Sequence, residues 1–231
     1  PIQLSAERIK RKFAPKLGEE NSDKLQAMTD VIVRQTNDLR RIVDEFSKFA
    51  RMPEPDRREE DLAKLVTDAV LLQQSGQPGI QFSTDVSQAS FLTEVDATMI
   101  SQALTNLIKN AGEAIATREQ KTGQPVDDPQ IRVTLCEREN GYQITIADNG
   151  IGLPEDRARL FEPYVTTRDE GTGLGLPIVK KIIEEHGGNL VLEDAPLFDG
   201  QQHRGAMAVI RLPAAAYVAQ TKRTTMKAGL T

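Results

Sequence analysis

Residues that build covalent or metal-bound scaffolds are scarce in this 231-residue sequence. It has one cysteine, Cys136, two histidines and no tryptophan. A single cysteine excludes an internal disulfide framework and any zinc site built from several cysteines, and two histidines exclude a histidine-rich metal centre. No uninterrupted apolar run approaches the roughly 20 residues that a membrane-spanning helix needs. The 39% hydrophobic and 27% charged residues are typical of a folded soluble protein.

The first residues of this sequence indicate a fragment. It lacks the charged-then-apolar pattern of a secretion signal, and it begins at Pro1 instead of methionine, inside an amphipathic pattern. We therefore expect a cytoplasmic fragment of a longer protein, and we expect any membrane anchor of that protein to lie outside this chain.

The charge is unevenly distributed along the chain. Residues 1–52 and residues 214–231 each carry a net charge of +3, so that residues 53–213 carry −11 of the total of −5. A protein that binds nucleic acid is usually basic across its folded body. An acidic body therefore argues against nucleic acid as a partner.

Residues 1–52 have the pattern of two amphipathic helices joined by a loop at Pro15 and Gly18. Asn21 or Ser22 is predicted to cap the second helix. So narrow an apolar stripe is not stable alone, and we predict a homodimer through a four-helix bundle; the alternative is a helical arm packed on its own domain. The apolar or core-compatible positions follow steps of four and three residues: Ile2, Ala6, Ile9 and Phe13, then Met28, Ile32, Gln35, Leu39, Ile42, Phe46 and Phe49.

The rest of the chain alternates helical and strand patterns. Prolines at 53 and 55 predict a linker over 53–58, followed by one domain over 59–213 and a loose basic tail over 214–231. The helical patterns include 96–118, with Asp96 as its N-cap, and 177–185. Strands are predicted over 80–86 and 91–95, a β-hairpin over 131–136 and 142–147, and closing strands over 189–193 and 206–212. Together these elements predict an α+β fold, a two-layer α/β sandwich with helices on one face of a sheet.

The long helix carries the first candidate site residues. Asn106 and Asn110 are four residues apart and therefore share one helix face, while Leu104, Leu107 and Ile108 point to the other side. Two carboxamide oxygens directed at one point suit a Mg²⁺ ion that keeps phosphate and water ligands. Taken alone, paired asparagines on a helix are usually just solvated.

A second candidate follows an apolar strand that ends at Ala147. Asp148 comes next, and Gly150 and Gly152 follow within four residues. A carboxylate at the end of a buried strand can accept a hydrogen from the amino group of a base, while the glycines let the backbone close around the ring. The alternative is an ordinary Asp-Asn-Gly turn.

A glycine-rich segment precedes the helix at Pro177. Glycines before a helix leave backbone N–H groups available to an anion, although neither a phosphate-binding lysine motif nor a dinucleotide fingerprint is present. The stretch from Phe161 predicts a mobile nucleotide lid in which Arg168 reaches a terminal phosphate; a plain flexible loop is the alternative. The candidate residues are Thr166, Thr167, Gly171, Thr172, Gly173, Leu174, Gly175 and Leu176.

The two histidines are not candidates for catalysis. His186 lies at a predicted helix end, where a histidine most often caps or packs, and His203 lies in a polar loop.

In this order, these motifs resemble those of two-component sensor histidine kinases, over nearly the whole chain. Residues 106–111 are similar to the N box of that family, 148–152 to its G1 box, 160–168 to its F box and 171–176 to its G2 box. The opening residues and Phe-Ala-Arg-Met-Pro at 49–53 are similar to nitrogen-regulation kinases of the NtrY type. The resemblance implies a Bergerat-type ATP-binding fold preceded by an antiparallel helical hairpin.

The resemblance also implies functions for the residues. Asn110, with Asn106, would coordinate Mg²⁺ on the phosphates of ATP, Asp148 would hold the adenine amino group, and the glycines of 171–175 would let the lid enclose the phosphates. The family transfers the γ-phosphoryl group to a histidine and then to an aspartate of a response regulator, which would be the cognate partner.

The acceptor histidine of that family is expected just before residue 1 and is absent from this sequence. We therefore expect nucleotide binding without self-phosphorylation, and a homodimer weakened by the shortened first helix. One alternative is a non-catalytic nucleotide-binding module that only docks a partner. Another is an ATPase of the gyrase, chaperone or mismatch-repair class, but such enzymes resemble one another in a water-activating glutamate where this chain has Asn106.

Overall fold

The structure, a computed structural model, describes residues 1–166 and 171–214. It divides into two compact units. The first, here the hairpin unit, is Pro1–Met52 with the described residues of Thr166–Leu174; the second, the sheet unit, is Pro53–Val165 with the chain from Gly175. All but the first residue of the predicted basic tail lies outside the described residues.

The described residues of the hairpin unit contain two α-helices, α1 (Ile2–Phe13) and α2 (Glu19–Ala50), with a short 3₁₀ helix over Ala14–Lys16 between them. They pack side by side with Lys10 and Asp30 paired at 2.8 Å, which confirms the predicted antiparallel hairpin. The predicted cap at Asn21 or Ser22 is wrong. Helix α2 begins earlier, because Gly18 is extended (ψ 157°) and its carbonyl already accepts the N–H groups of both residues.

The sheet unit contains seven strands and three α-helices among its described residues, and a short 3₁₀ helix over Ala158–Phe161. In chain order the strands and α-helices are β1 (Arg58–Asp61), α3 (Leu62–Gly76), β2 (Gln81–Val86), β3 (Leu92–Val95), α4 (Ala97–Thr122), β4 (Gln130–Arg138), β5 (Gly141–Asp148), α5 (Gly175–Glu185), β6 (Asn189–Asp194) and β7 (Ala206–Pro213).

Five strands form a mixed sheet in the order β2-β4-β5-β7-β6, in which only β2 and β4 run parallel. Along β4, Ile131, Val133 and Leu135 are fully buried, whereas Arg132 and Thr134 between them are half-buried. Because alternate residues of a strand face opposite sides of the sheet, one face is the core side. Helices α3 and α4 contact this sheet, and α4 packs on α3 and α5. The predicted α+β two-layer sandwich is confirmed.

Two short strands form a second sheet. Strand β3 was predicted over 91–95, but its partner β1 was not. Strand β1 pairs antiparallel with β3, with Arg58 opposite Val95. The predicted linker over 53–58 therefore overlaps a strand at its last residue. The Arg-Glu-Glu-Asp sequence of β1 has no apolar alternation that would predict a strand. Backbone pairing with β3 holds these residues in a strand, although none of their side chains is fully buried.

Caps determine where the helices of this unit begin and end. Asp96 caps α4 as predicted, accepting the N–H groups of Thr98 and Met99 at 3.0 and 3.1 Å. Helix α4 runs four residues beyond its predicted end, to a left-handed Gly123 (φ +67°). Asp61 caps α3 and also accepts the N–H of Phe91, and these bonds to the ionised form lower the pKa of its carboxyl against the opposing effect of burial.

Candidate nucleotide site

Helix α4 places Asn106 and Asn110 on one face, and both are half-buried. The neighbouring helix face is anchored in the core by Leu107, Ile108 and Ala111, which are buried. The core contacts therefore fix the rotation of the helix and with it the direction of the two carboxamides. Among the described residues, no group of three or more His, Cys, Asp or Glu side chains could hold a metal ion, so that a cation here would depend on amide, phosphate and water oxygens.

Asp148 ends the central strand β5, where it is only 4% exposed. Its Oδ1 accepts the backbone N–H of Gly150 at 2.8 Å and that of Ala206 at 3.3 Å. Two backbone donors on one carboxylate oxygen fix the plane of the carboxylate. The carboxylate therefore presents its second oxygen in a direction that the backbone determines.

Gly205, which precedes β7, permits this geometry. A Cβ at Gly205 would overlap the carbonyl oxygen of Asp148, so that only glycine lets the start of β7 approach the end of β5. Gly205 is not among the predicted site residues, because a glycine before a strand is a common signal and its neighbour across the sheet is not visible in the sequence.

Gly150 brings the loop after β5 against helix α4. A Cβ at this position would lie 2.6 Å from the carbonyl carbon of Ala114, and the next residue, Ile151, donates its N–H to the Ala114 carbonyl at 3.1 Å. Ala114 is one helical turn beyond Asn110. The structure thus brings the Asp148 loop and the asparagine-bearing helix together within the sheet unit.

Gly152 and Asn149 shape the same loop. Gly152 has a φ of +83°, which favours glycine. The fully buried Asn149 accepts the N–H of Gln130 through its side-chain oxygen at 2.9 Å and donates to the carbonyl of Asp128 at 2.8 Å, while its own carbonyl accepts from Arg118. Asn149 is a structural residue that the motif alone does not distinguish, and the buried loop is not an ordinary exposed turn.

The glycine-rich segment differs in part from its prediction. Helix α5 begins at Gly175, two residues before Pro177, so that Gly175 and Leu176 belong to its first turn. Before it, Gly173 has a φ of +67° and Leu174 is fully buried.

The remaining candidates of this segment lie outside the sheet unit. The described residues Thr166, Gly171, Thr172, Gly173 and Leu174 belong to the hairpin unit. Thr167 and Arg168 lie outside the described residues.

His186 is a structural residue, as its position predicted. It is 2% exposed, its Nδ1 donates to the carbonyl of Ile182 at 2.7 Å, and its Nε2 accepts the N–H of Asp96 at 2.9 Å. Burial lowers the pKa of His186, and the charge of Arg57 acts in the same direction against the opposite effects of the Ile182 carbonyl, Asp96 and Glu185. The ring is therefore neutral and engaged on both nitrogens.

Known proteins are similar to this chain in sequence and in fold. The family described as "Histidine kinase-, DNA gyrase B-, and HSP90-like ATPase" matches residues 95–216. Nitrogen regulation protein NtrY of Azorhizobium caulinodans is 46% identical over 216 residues, which cover 93% of this chain and 27% of that protein. The chain spans somewhat more than a quarter of the length of such curated relatives.

Two solved structures have a similar fold. The catalytic domain of histidine kinase ThkA is 27% identical with a TM-score of 0.56, over 68% of this chain and 95% of that one. ThkA in complex with response regulator protein TrrA has a TM-score of 0.62 at 22% identity, over 91% of this chain and 58% of that one.

Among the described residues, no helix has the length and apolar character of a membrane-spanning segment. The chain belongs to the histidine kinase-, DNA gyrase B- and HSP90-like ATPase family, as a homologue of the NtrY-type sensor histidine kinases.

Proposed function

We propose that this chain binds Mg-ATP as the nucleotide-binding part of a sensor histidine kinase and supplies the γ-phosphoryl group to a histidine. The observation that carries the proposal is the buried Asp148 carboxylate, whose Oδ1 is held by the N–H groups of Gly150 and Ala206. A carboxylate that cannot rotate is suited to accept a hydrogen bond from one exocyclic amino group, and such a bond to a charged acceptor contributes about 1.5–3 kcal/mol. Adenine offers that amino group.

The α4 face fits a Mg²⁺ ion that is bound mainly by phosphates. Asn110, with Asn106, would hold the ion through carboxamide oxygens, which are the hard ligands that Mg²⁺ prefers. When bound, Mg²⁺ neutralises charge on the phosphates. The half-buried position of both side chains leaves room for phosphate and water oxygens to complete the coordination.

The segment around the start of α5 would hold the phosphates. Gly171, Gly173 and Gly175 would leave backbone N–H groups accessible to phosphate oxygens, and the N-terminus of a helix such as α5 carries a partial positive charge. Such groups would orient the γ-phosphate, and positioning and charge stabilisation supply most of the catalysis in phosphoryl transfer. We assign further lid and phosphate contacts to Thr166, Thr167, Arg168, Thr172, Leu174 and Leu176.

The hairpin unit would bind the protein partners of this chain. Large apolar side chains are exposed along it, among them Met28 at 67% and Leu39 at 61%, and exposed apolar stripes mark interaction surfaces. We propose that a second copy covers this stripe in a four-helix bundle. We also propose that a response regulator then accepts the phosphoryl group from the histidine, because the related kinase ThkA forms a complex with a response regulator.

Titration of the 231-residue chain with ATP and GTP, with and without Mg²⁺, tests the nucleotide site. We expect ATP to bind in preference to GTP and more tightly with Mg²⁺. Absence of binding at millimolar ATP would favour a docking module, and rapid phosphate release would favour an ATPase.

Incubation with γ-labelled ATP tests whether the phosphoryl group is transferred to a histidine of this chain or only to an acceptor histidine outside it. We expect no acid-labile label on this chain, because the ring of His186 is buried and hydrogen-bonded on both nitrogens and His203 lies in a loop. A longer chain that supplies an acceptor histidine should become labelled. Stoichiometric phosphohistidine mapped to His186 or His203 would contradict the proposal.

A further inference from the structure

The segment that the sequence predicts to be a linker, residues 53–58, is bound to the ends of two helices of the sheet unit. The backbone N–H of Asp56 donates to Oδ2 of Asp96 at 3.1 Å. The guanidinium of Arg57 donates to the carbonyl of Glu185. Both contacts join the residues before β1 to the ends of helices α4 and α5, which the chain reaches 40 and 128 residues later.

The end of α5 explains why Arg57 binds there. Gly187 is left-handed (φ +72°), and the N–H groups of Gly187 and Gly188 return to the carbonyls of Glu184 and Ile183, each at 2.9 Å. This C-terminal motif satisfies two of the last carbonyls of the helix and leaves that of Glu185 to another donor. Arg57 supplies the donor and adds a positive charge where the helix dipole favours one.

The start of α4 explains the contact with Asp56. Asp96 uses Oδ1 to cap the N–H groups of Thr98 and Met99 and Oδ2 to accept from Asp56. Its own N–H donates to Nε2 of His186, the last residue before the glycines that end α5. The two helix ends and the linker therefore meet in one hydrogen-bonded cluster, here the linker joint.

We propose that Arg57 and Asp96 are positioning residues that dock the linker onto the ends of the two helices that carry predicted nucleotide ligands. Helix α4 carries Asn106 and Asn110, and α5 begins at the glycine-rich segment. The linker joint fixes the point at which the chain enters the sheet unit. In the proposed kinase, a fixed entry point limits the positions from which the bound nucleotide can reach an acceptor, and orientation of this kind affects the rate and not the nucleotide affinity.

Hydrogen exchange in the 231-residue chain without nucleotide tests the docking and does not depend on the proposed function. Arg57→Ala should accelerate exchange of the Asp56 amide roughly threefold to tenfold, as expected for the loss of one exposed hydrogen bond in the joint. Arg57→Lys should restore most of the protection, because lysine can also donate to the Glu185 carbonyl. Asp96→Ser should also accelerate exchange at Asp56, since serine keeps an N-cap oxygen for α4 but lacks the second oxygen.

The matched control is Arg138→Ala. Arg138 is exposed at the end of β4, and its guanidinium also donates to a backbone carbonyl, that of Glu137 at 3.3 Å, but this carbonyl belongs to a strand and not to a helix end. We expect wild-type exchange at Asp56 in this control. Equal acceleration by Arg138→Ala, or an Asp56 amide that exchanges in the wild type as fast as an unprotected one, would overturn the docking.

A second measurement tests positioning and rests on the proposed function. In a longer protein that contains this chain and an acceptor histidine, Arg57→Ala should lower kcat of autophosphorylation roughly threefold to tenfold with KM for ATP within about twofold. A raised KM with unchanged kcat would overturn the positioning role. If the wild-type protein binds ATP but transfers nothing, the proposed function fails while the exchange comparison still decides the docking.

Discussion

Replacement of one carboxylate oxygen of Asp148 by an amide nitrogen should change which base this chain binds. In Asp148→Asn, the side-chain oxygen of asparagine is expected to take the place of Oδ1, because the N–H groups of Gly150 and Ala206 require an acceptor there. The amide nitrogen then takes the place of Oδ2. A hydrogen-bond donor would therefore face the base where the wild type offers a charged acceptor.

The magnitude follows from the burial of this group. Asp148 is 4% exposed, so that water cannot compensate for a mismatched partner. Loss of a bond to a charged acceptor costs about 1.5–3 kcal/mol, which corresponds to roughly tenfold to a hundredfold weaker binding of ATP. GTP carries a keto oxygen at the same ring position and should lose less or gain affinity, since the new amide can donate to it.

Calorimetric titration of both nucleotides against both proteins measures the ratio of the two affinities. Asp194→Asn is the matched control, because Asp194 ends the strand β6 but is 46% exposed in an ion pair with Arg157; it should leave the ratio unchanged. Unchanged ATP affinity in Asp148→Asn, in a protein with wild-type circular dichroism, would refute the role of Asp148 in base recognition.

Three further changes test the rest of the site and its scaffold. Asn110→Ala should abolish the Mg²⁺-dependent part of ATP binding with the fold intact, whereas the exposed neighbour Lys109→Ala should not; unfolding seen by circular dichroism would make Asn110 structural. Gly150→Ala should lower the free energy of unfolding by roughly 1–3 kcal/mol, because the new Cβ would lie 2.6 Å from the backbone of α4. The control is Gly76→Ala, whose Cβ would have no neighbouring atom within 4 Å and which should be near neutral. Equal denaturant midpoints for the two variants would contradict the argument. The lowered pKa of His186 means that, as the pH falls, the unfolded state binds the proton of this histidine before the folded state does. The contribution of His186 to stability should therefore be fully present above about pH 6.5 and decrease as the pH falls towards the folded-state pKa. His186→Gln should remove that part of the pH dependence of Tm, and an unchanged pH profile would refute the argument.

The elements that the sequence predicted well are those encoded by neighbouring residues. Helix α4 follows from its 3.6-residue periodicity and from the cap at Asp96, whose acceptor lies two and three residues from its donors. The hairpin of β4 and β5 follows from alternation on each side of a tight turn. Such signals are local, so that they are complete in the sequence before any tertiary contact forms.

The predictions that failed do so for two kinds of reason. Strand β1 has four polar residues and is held by its pairing with β3, more than thirty positions away, so that a distant part of the chain decides its conformation. The start of α5 at Gly175 instead of Pro177 is a local matter, because a glycine can join a helix as well as precede it, and the propensity of one residue does not determine which.

The sequence by itself determined the order of the motifs, the family, and which residue types are available to a nucleotide: a carboxylate after an apolar strand, two asparagines one turn apart, and glycines before a helix. Tertiary structure alone decided how those groups are held. The orientation of the Asp148 carboxylate depends on the N–H of Ala206, 58 residues away, and the docking of Arg57 depends on a carbonyl 128 residues away. Backbone donors and acceptors are the same at every residue except proline, so that no sequence pattern identifies which of them will meet.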